Sequence, residues 1–267
     1  MTRYAAMFER CAAAGEGALG AFLMLGDPDV RACTAYLDAL VEGGADMLEL
    51  GIPFSDPVAD GPVIQDAARR ALGAGVRTAD CLALVAGLRE RHAGVPIGVL
   101  TYANIVAARG IERFAAELAD AGADSLLVAD VPSIEAAPYA AAAKAAGIDL
   151  VMIAAPNTPR AVLDRIAALS SGYTYCVARA GVTGADRKLA LDHGGLFAAL
   201  REAGAPPPVL GFGIATSDHV AQAIDSGAAG VISGSAIVKL IGEGKSPFEV
   251  AGFVAALKQG TKRAPPR

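Results

Sequence analysis

The chain contains 267 residues, of which 54% are hydrophobic and 19% are charged, a composition that excludes an intrinsically disordered protein. The net charge of -5 and the isoelectric point near 5.3 argue against a surface that neutralises nucleic-acid phosphates or anionic lipids. No apolar stretch approaches the roughly 18 residues of a membrane span, and the N-terminal stretch carries no signal core. We therefore expect a cytoplasmic protein with a small-molecule ligand.

The N-terminal segment predicts a helix before the first strand. Tyr4, Met7, Phe8 and Cys11 form an apolar stripe at helical spacing. We expect this extra helix to close the lower end of the sheet structure that follows.

Eight short apolar runs predict buried strands, and segments with helical periodicity separate them. Several of these segments end in glycine just before an apolar run, as at Gly44 and Gly122, where a left-handed residue can turn the chain from helix into strand. The runs are nearly continuous, which is typical of parallel strands buried on both faces. The predicted strands cover residues 19–24, 46–50, 96–101, 124–129, 148–154, 173–178, 208–212 and 229–233.

Eight strands alternating with helices favour a closed (β/α)8 TIM barrel, formed by a single domain over residues 1–267. An open doubly wound sheet is the alternative, but no glycine-rich dinucleotide fingerprint follows the first strand. The tail from about 260 to 267 is expected to fray. A long insertion, residues 52–78, follows the second strand, and another follows the sixth. We predict that the loops at 53–60 and 179–190 are the least ordered parts of the free protein.

Glu49 lies inside the second predicted strand, in Met47-Leu48-Glu49-Leu50. Alternation sends Leu48 and Leu50 to one side and Glu49 to the other, so the carboxylate points into the barrel if the leucines face the helices. Burial there would raise its pKa towards neutrality and suit it to proton transfer. A hydrated glutamate at the strand end is the alternative.

The loop after the second strand is dense in turn-forming residues and contains Asp56 and Asp60. Asp60 either takes part in the chemistry or caps the helix that follows, and the local sequence does not decide between the two. Asp56 precedes a proline, as in an ordinary turn. Asp130, at the end of the fourth strand, is another candidate helix cap.

Two glycine clusters follow the last two strands, Gly211-Phe212-Gly213 and Ser233-Gly234-Ser235. Backbone N–H groups in such loops, together with the N-terminus of a short helix from Ala236, can bind a phosphate group. A third candidate is Gly181-Val182-Thr183-Gly184, in the loop after the sixth strand. Glycines that merely permit tight turns are the alternative.

The other reactive side chains favour carboxylate chemistry by elimination. None of the three histidines lies at the carboxyl end of a predicted strand, so we expect no histidine metal site there. All six lysines lie outside the predicted strands, and none is offered for Schiff-base chemistry. The scattered cysteines are expected to be reduced and mostly buried: Cys11, Cys33, Cys81 and Cys176.

The segment Leu48-Glu49-Leu50-Gly51-Ile52-Pro53-Phe54-Ser55-Asp56-Pro57-Val58-Ala59-Asp60-Gly61-Pro62 resembles the signature of the tryptophan synthase alpha subunit family. The resemblance covers essentially the whole chain and continues through residues 102–104, 128–132, 179–184, 211–214 and 232–236. It implies a lyase without a cofactor of its own. In tryptophan biosynthesis this enzyme would release indole and glyceraldehyde 3-phosphate from indole-3-glycerol phosphate.

By this resemblance, Glu49 protonates the indole ring carbon and handles the proton of the side-chain hydroxyl, and Asp60 holds the indole N–H and stabilises positive charge on the ring nitrogen. Tyr175 supports them, and Thr183 belongs to a loop that closes over the substrate. The positions that match the indole pocket are Phe22, Leu100, Tyr102, Leu127, Ala129, Ile153 and Ile232. Those that match the phosphate site are Gly184, Phe212, Gly213, Gly234 and Ser235.

The resemblance also implies a partner. Asp56 lies in the loop that, in the family, meets a beta subunit; this partner carries pyridoxal phosphate and joins the indole to serine in an assembly of two alpha and two beta chains. Two positions depart from the expected pattern. Met24 stands where a small or hydroxylated residue is expected, and Ala178 replaces a hydroxyl residue before Arg179. These departures concern loop energetics and rate.

Three functional alternatives remain open from the sequence. A sugar-phosphate isomerase on the same fold would lack the pair formed by Glu49 and Asp60. A stand-alone indole-releasing lyase would need no partner. A subunit that only activates a beta partner would have lost the carboxylates or the phosphate loop.

Overall fold

Parallel strands and helices alternate along the computed structural model, which describes residues 1–177, 193–211 and 213–262. The strands are β1 (Ala18–Met24), β2 (Met47–Gly51), β3 (Ile97–Thr101), β4 (Ser125–Val128), β5 (Asp149–Leu150), β6 (Met152–Ala154), β7 (Thr174–Cys176), β8 (Pro208–Leu210) and β9 (Gly230–Ser233). The helices are α1 (Arg3–Ala13), α2 (Val30–Glu42), α3 (Pro62–Gly73), α4 (Thr78–Arg91), α5 (Ala103–Arg109), α6 (Ile111–Asp120), α7 (Ala137–Ala146), α8 (Arg160–Leu169), α9 (Gly194–Glu202), α10 (Ser217–Asp225), α11 (Ser235–Gly242) and α12 (Pro247–Lys258). In the described ranges no single helix has the length and apolar character to cross a membrane, and only the pair α3 and α4, bent by 102°, meets those criteria jointly.

The strands form one parallel barrel. Their order in the sheet is β5-β4-β3-β2-β1-β9-β8-β7-β6. The end strands β5 and β6 are two parts of the single predicted strand 148–154, and only Val151 separates them. The Val151 N–H donates to the Leu126 carbonyl at 2.9 Å, which continues the pairing with β4. Because the two ends of the sheet meet in one stretch of chain, the predicted eight-fold barrel is confirmed.

Alternation along the strands divides the side chains between two apolar layers. Leu48 and Leu50 pack among buried residues of the surrounding helices. Glu49 points the other way, and its register neighbours are Phe22 of β1 and Gly98 of β3. The carboxylate is therefore directed into the barrel, as the alternation predicts.

The joints between helices and strands use glycine as predicted. Gly44 and Gly122 have φ values of 92° and 86°, in the left-handed half of the Ramachandran map. A residue with a Cβ atom is disfavoured there by about 1–2 kcal/mol. Glycine at these two positions lets α2 and α6 end within a few residues of β2 and β4.

Helix α1 closes the lower end of the barrel. Its buried face carries Tyr4, Met7 and Cys11, which belong to the same apolar cluster as the barrel interior. The Tyr4 hydroxyl lies 2.8 Å from the Ser125 hydroxyl of β4. The predicted N-terminal helix is confirmed, and the fourth residue of its predicted stripe, Phe8, is partly buried against the same cluster.

Two aspartates lock this lower end. Asp46 accepts hydrogen bonds from the Leu19 amide of β1 at 2.8 Å and from the Arg10 guanidinium of α1 at 3.1 Å. Asp124 repeats the arrangement with an amide of β3 at 2.8 Å and with Arg3 of α1 at 2.9 Å. Each carboxylate thus joins the start of one strand to its neighbour and to the closing helix.

The chain ends are packed as far as the structure describes them. Helix α11 follows β9 directly, which confirms the predicted extra helix after the last strand. The segment expected to fray from about residue 260 begins with Gly260 and Thr261, which are buried in a 3-10 turn, and Lys262 bridges to Glu16. Residues 263–267 and the loop at 179–190 lie outside the described residues. All four cysteines are unpaired and buried, as predicted.

Candidate active site

Glu49 is buried inside the upper half of the barrel and is only 2% exposed. Its Oε1 accepts a hydrogen bond from the Tyr173 hydroxyl at 3.0 Å. Burial raises the pKa of Glu49 to about 8; the hydrogen bond from Tyr173 lowers it, and the charge of Asp60 raises it. At neutral pH this carboxyl group therefore holds a proton that it can donate.

Asp60 lies on the loop between β2 and α3 and is 9% exposed. Its backbone is fixed at both ends, since its N–H donates to the Pro57 carbonyl at 3.1 Å and its carbonyl accepts from the Gln65 amide at 2.8 Å. The first turn of α3 receives no side-chain cap, because its N-cap residue is Gly61. The alternative that Asp60 caps this helix is therefore wrong.

The pKa of Asp60 is raised less than that of Glu49. Burial raises the pKa to about 6, and the interaction with the Tyr102 hydroxyl opposes this shift. No cationic residue of the described chain contributes to the pKa shift of Glu49 or of Asp60. The site thus combines a carboxyl group that is protonated at pH 7 with a neighbouring one that is ionised.

Tyr102 interacts with Asp60 and with earlier residues of the same loop. Its hydroxyl accepts a hydrogen bond from the Ala59 N–H at 3.3 Å. Its ring stacks on Phe54, with centroids 5.2 Å apart and planes inclined by 28°. The neighbouring amide of Ala103 donates to Asp130 at 2.7 Å, so Asp130 binds the start of α5 and not the helix that follows Asp130 in the chain.

The structure brings the predicted indole-pocket residues together. Tyr102 is buried beside Phe54, and the other six belong to one apolar cluster inside the barrel: Phe22, Leu100, Leu127, Ala129, Ile153 and Ile232. Of these six, Leu100, Ala129 and Ile153 are only partly buried. An apolar, partly accessible cluster beside two carboxyl groups suits a planar aromatic ligand.

The tyrosine in contact with Glu49 is Tyr173, whereas the sequence prediction selected Tyr175. The Tyr175 hydroxyl donates to the Gly211 carbonyl at 2.6 Å. A Cβ atom at Gly211 would overlap the Tyr175 ring, so glycine is required where this strand end passes the tyrosine. Residues 173 and 175 share one face by alternation, and this signal could have identified Tyr173 as a second inward tyrosine.

The glycine-rich ends of β8 and β9 lie beside the apolar cluster. Gly234 is the N-cap residue of α11, and a Cβ atom there would lie 3.4 Å from the Cβ of Phe22. Ser235 opens the helix, and Gly213 has a left-handed φ of 73°. The first N–H groups of a helix have no partner within it and favour an anion. The remaining predicted phosphate residues, Gly184 and Phe212, and the loop residue Thr183 lie outside the described residues.

Asp56 lies at the rim of the barrel. It is exposed, and its carboxylate accepts a hydrogen bond from the Ser55 hydroxyl at 2.5 Å. Val58, two residues further on, exposes 71% of its surface. The described residues contain no group of three histidine, cysteine or acidic side chains that could hold a metal ion.

The fold and the site together define a protein of the (β/α)8-barrel class with two buried carboxyl groups, Glu49 within a strand and Asp60 in the loop that follows it. The family model for the tryptophan synthase alpha chain matches residues 8–263. This chain belongs to the tryptophan synthase alpha chain family, which is a family of lyases.

Individual relatives agree with this assignment along the whole chain. The tryptophan synthase alpha chain of Shewanella amazonensis is 50% identical over 266 residues, which cover 98% of this chain and 100% of the relative. That of Aeromonas hydrophila is 53% identical over 241 residues, or 90% of each chain. A structure of Mycobacterium tuberculosis tryptophan synthase superimposes with a TM-score of 0.90 at 34% identity, covering 98% of this chain and 99% of that one.

Proposed function

We propose that this chain cleaves indole-3-glycerol phosphate to indole and glyceraldehyde 3-phosphate by a retro-aldol reaction. The observation that carries the proposal is the pair of carboxyl groups with separated pKa values, about 8 for Glu49 and about 6 for Asp60, beside one apolar cluster. Titratable groups whose environments separate their pKa values divide naturally into an acid and a base.

Glu49 would serve as the acid and then as the base. Its proton goes to the ring carbon that carries the glycerol phosphate side chain, which turns the indole into a leaving group. The bond between this carbon and the side chain then breaks, and its electron pair restores the aromatic ring. The side-chain hydroxyl loses its proton to the Glu49 carboxylate and becomes the aldehyde, so the proton count of the enzyme is unchanged.

Asp60 would stabilise the charge that this protonation creates. The ring nitrogen becomes positive when the ring carbon is protonated, and an ionised carboxylate at the N–H lowers the energy of that state. The position of Asp60 is supported by the hydrogen bonds that fix its backbone and by the Tyr102 hydroxyl. The Tyr175 ring, which packs against the apolar cluster, would support the indole ring.

The two ends of the substrate would occupy different parts of the mouth. The indole ring fits the apolar cluster that contains Phe22, Leu127 and Ile232. The phosphate would bind at the N-terminus of α11, with Gly213, Gly234 and Ser235, and with Gly184 and Phe212 from the loops outside the described residues. Thr183 would close over the bound substrate.

We also propose a partnership with a beta subunit. The exposed loop with Asp56 and Val58 at the barrel rim supports such a contact. The partner would carry pyridoxal phosphate, receive the indole and join it to serine, in an assembly of two alpha and two beta chains. This chain needs no cofactor for its own step. Four buried, unpaired cysteines suit the reducing cytoplasm.

The test is indole release from indole-3-glycerol phosphate by the purified chain, alone and with a beta subunit, with Glu49→Gln as the control. We expect slow release alone, faster release with the partner and none in the variant. Fast release without any effect of the partner would identify a stand-alone lyase. Activation of the beta subunit without cleavage would identify a non-catalytic subunit and refute the proposal.

A further inference from the structure

A partly buried ion pair between Asp27 and Arg70 takes no part in the proposed chemistry. Asp27, in the Gly26-Asp27-Pro28 segment after β1, is fully buried. Both of its carboxylate oxygens accept hydrogen bonds from the Arg70 guanidinium, from Nε at 2.7 Å and from Nη2 at 2.8 Å. This two-point geometry fixes the carboxylate and the guanidinium in one plane, which a lysine cannot reproduce.

The pair joins three elements that surround the substrate site. Arg70 lies in the last turn of α3, and Asp27 belongs to the loop after β1. Gly242, the last residue of α11, lies against the guanidinium: a Cβ atom there would be 3.1 Å from Nη1 and 3.2 Å from Nη2. The end of α11 thus lies against Arg70, and a side chain at position 242 would require the guanidinium or the helix end to shift by a few tenths of an ångström.

The opposite ends of the same two helices carry the functional groups. Gln65, in the first turn of α3, donates to the Asp60 carbonyl at 2.8 Å, so the position of Asp60 follows that of α3. Helix α11 begins with Ser235 at the candidate phosphate site. At about 1.5 Å per residue, Arg70 and Gly242 lie roughly 12 and 10 Å along their helices from Pro62 and Ser235. The ion pair therefore lies at the carboxyl-terminal ends of α3 and α11, and these ends are at similar distances from the helix starts that carry the functional groups.

We propose that Asp27 and Arg70 form a positioning pair that sets the phosphate site on α11 at the correct distance from Asp60. The inference rests on the proposed function, in which one substrate spans both places. A ligand that bridges the two subsites responds to their spacing, whereas a ligand that occupies one subsite does not. A displacement of about 1 Å can reduce a rate by about 100-fold when reacting groups must be aligned.

The experiment compares the bridging substrate with its two halves in Arg70→Lys and Asp27→Asn. We expect kcat/KM for indole-3-glycerol phosphate to fall by about 30-fold or more. The dissociation constants for indole and for glycerol 3-phosphate, measured separately, should stay within about twofold. The matched control is Arg89→Lys, which alters a buried pair at the lower end, where Arg89 and Asp124 lie 2.6 Å apart with side chains 13% and 10% exposed.

Each outcome decides the inference. An unchanged kcat/KM in both variants, an equal fall in Arg89→Lys, or a parallel loss of affinity for both half-ligands would overturn it. An inactive wild-type chain would refute the proposed function and the inference with it, whereas an active wild type isolates the role of the pair. If the charge variants do not fold, Gly242→Ala keeps both charges and displaces α11 from the guanidinium. It should produce the same selective loss, and full activity in Gly242→Ala would overturn the proposal.

Discussion

Buried carboxylates at the lower end of the barrel and the carboxyl group of Glu49 inside its upper half have opposite environments. At the lower end, Asp124 binds Arg3 and Arg89 at 2.9 and 2.6 Å. Asp46 likewise binds Lys258 at 2.6 Å. At the upper end, by contrast, Glu49 receives a tyrosine hydroxyl and no cation from the described chain.

Because of this difference, we expect the lower-end carboxylates to stabilise the fold and Glu49 to transfer a proton. A carboxylate that accepts hydrogen bonds from a guanidinium and from a backbone amide fixes the elements around it. Glu49, the more deeply buried carboxyl group of the upper end, has no cation to offset the cost of desolvation and retains its proton at neutral pH. The lower end therefore holds the barrel closed, and the upper end holds a proton ready for transfer. The following variants test this division.

Next to the loss of activity in Glu49→Gln, the largest effect on the rate is expected when Asp60 is neutralised. Asp60→Asn keeps the shape of the side chain and removes the charge that would stabilise the protonated ring. Because removing one preorganised electrostatic group typically costs about 100-fold to 1000-fold, we expect kcat for indole release to fall by that factor. Asp124→Asn, the matched change at the lower end, should leave kcat of the folded protein unchanged. A similar fall in both variants would contradict the division.

Neutralising Glu49, by contrast, should increase the free energy of unfolding at alkaline pH. The pKa of Glu49 is about 8 in the folded chain and 4.5 for the free side chain, so the folded state holds this proton more tightly. The stability that this group contributes is therefore complete below about pH 4.5 and is lost as the pH rises through about 8.

Glu49→Gln removes this loss because the amide does not ionise. At about 1.4 kcal/mol per pKa unit, the variant should be more stable than the wild type by about 5 kcal/mol at pH 9 and equal to it near pH 4. Urea unfolding at both pH values measures the difference. A variant that is less stable than the wild type at pH 9 would show that Glu49 is not buried as a neutral group.

At the lower end, Asp124→Asn should destabilise the fold. The substitution leaves Arg89 buried with only carbonyl partners, and breaking a buried pair in this way costs about 3 kcal/mol. Urea unfolding at pH 7 measures this loss, and Arg113→Gln, at an exposed pair within α6, serves as a control with little effect. Equal stability of Asp124→Asn and the wild type would remove the structural role assigned to this end.

The pH dependence of the rate should report the two upper carboxyl groups. Activity requires Asp60 ionised and Glu49 protonated, so kcat/KM should be highest between about pH 6 and pH 8. It should fall about tenfold per pH unit on either side. Asp60→Asn should lose the acid limb and keep the alkaline one, and a profile unchanged by this substitution would assign the acid limb to another group.

The smallest effect is expected from the tyrosine beneath Glu49. Tyr173→Phe removes the hydroxyl that lowers the pKa of Glu49, so the alkaline limb should move to higher pH while kcat changes only a few-fold. Tyr175→Phe loses the hydrogen bond to the Gly211 carbonyl and should leave the alkaline limb in place. A shift of equal size in both variants would show that neither hydroxyl acts through contact with Glu49.

Much of this molecule could be predicted from local sequence. The apolar runs located all eight strands, and alternation around Glu49 gave the direction of its side chain, because both properties repeat within a few residues. The glycines at 44 and 122 identified the turns into strands, since few other residues tolerate the conformation. The long motif around Glu49 and Asp60 identified the family.

Only the tertiary structure decided which distant groups meet. The residues around Asp60 left it between a cap and a functional role, the sequence did not identify Tyr173 as the residue that contacts Glu49, and it gave no sign of the pair formed by Asp27 and Arg70. Tyr173 and Glu49 are 124 positions apart, and Asp27 and Arg70 are 43 apart. Periodicity and turn chemistry reach only a few residues along the chain, whereas such contacts, and the pKa values that burial imposes, depend on how the closed barrel packs.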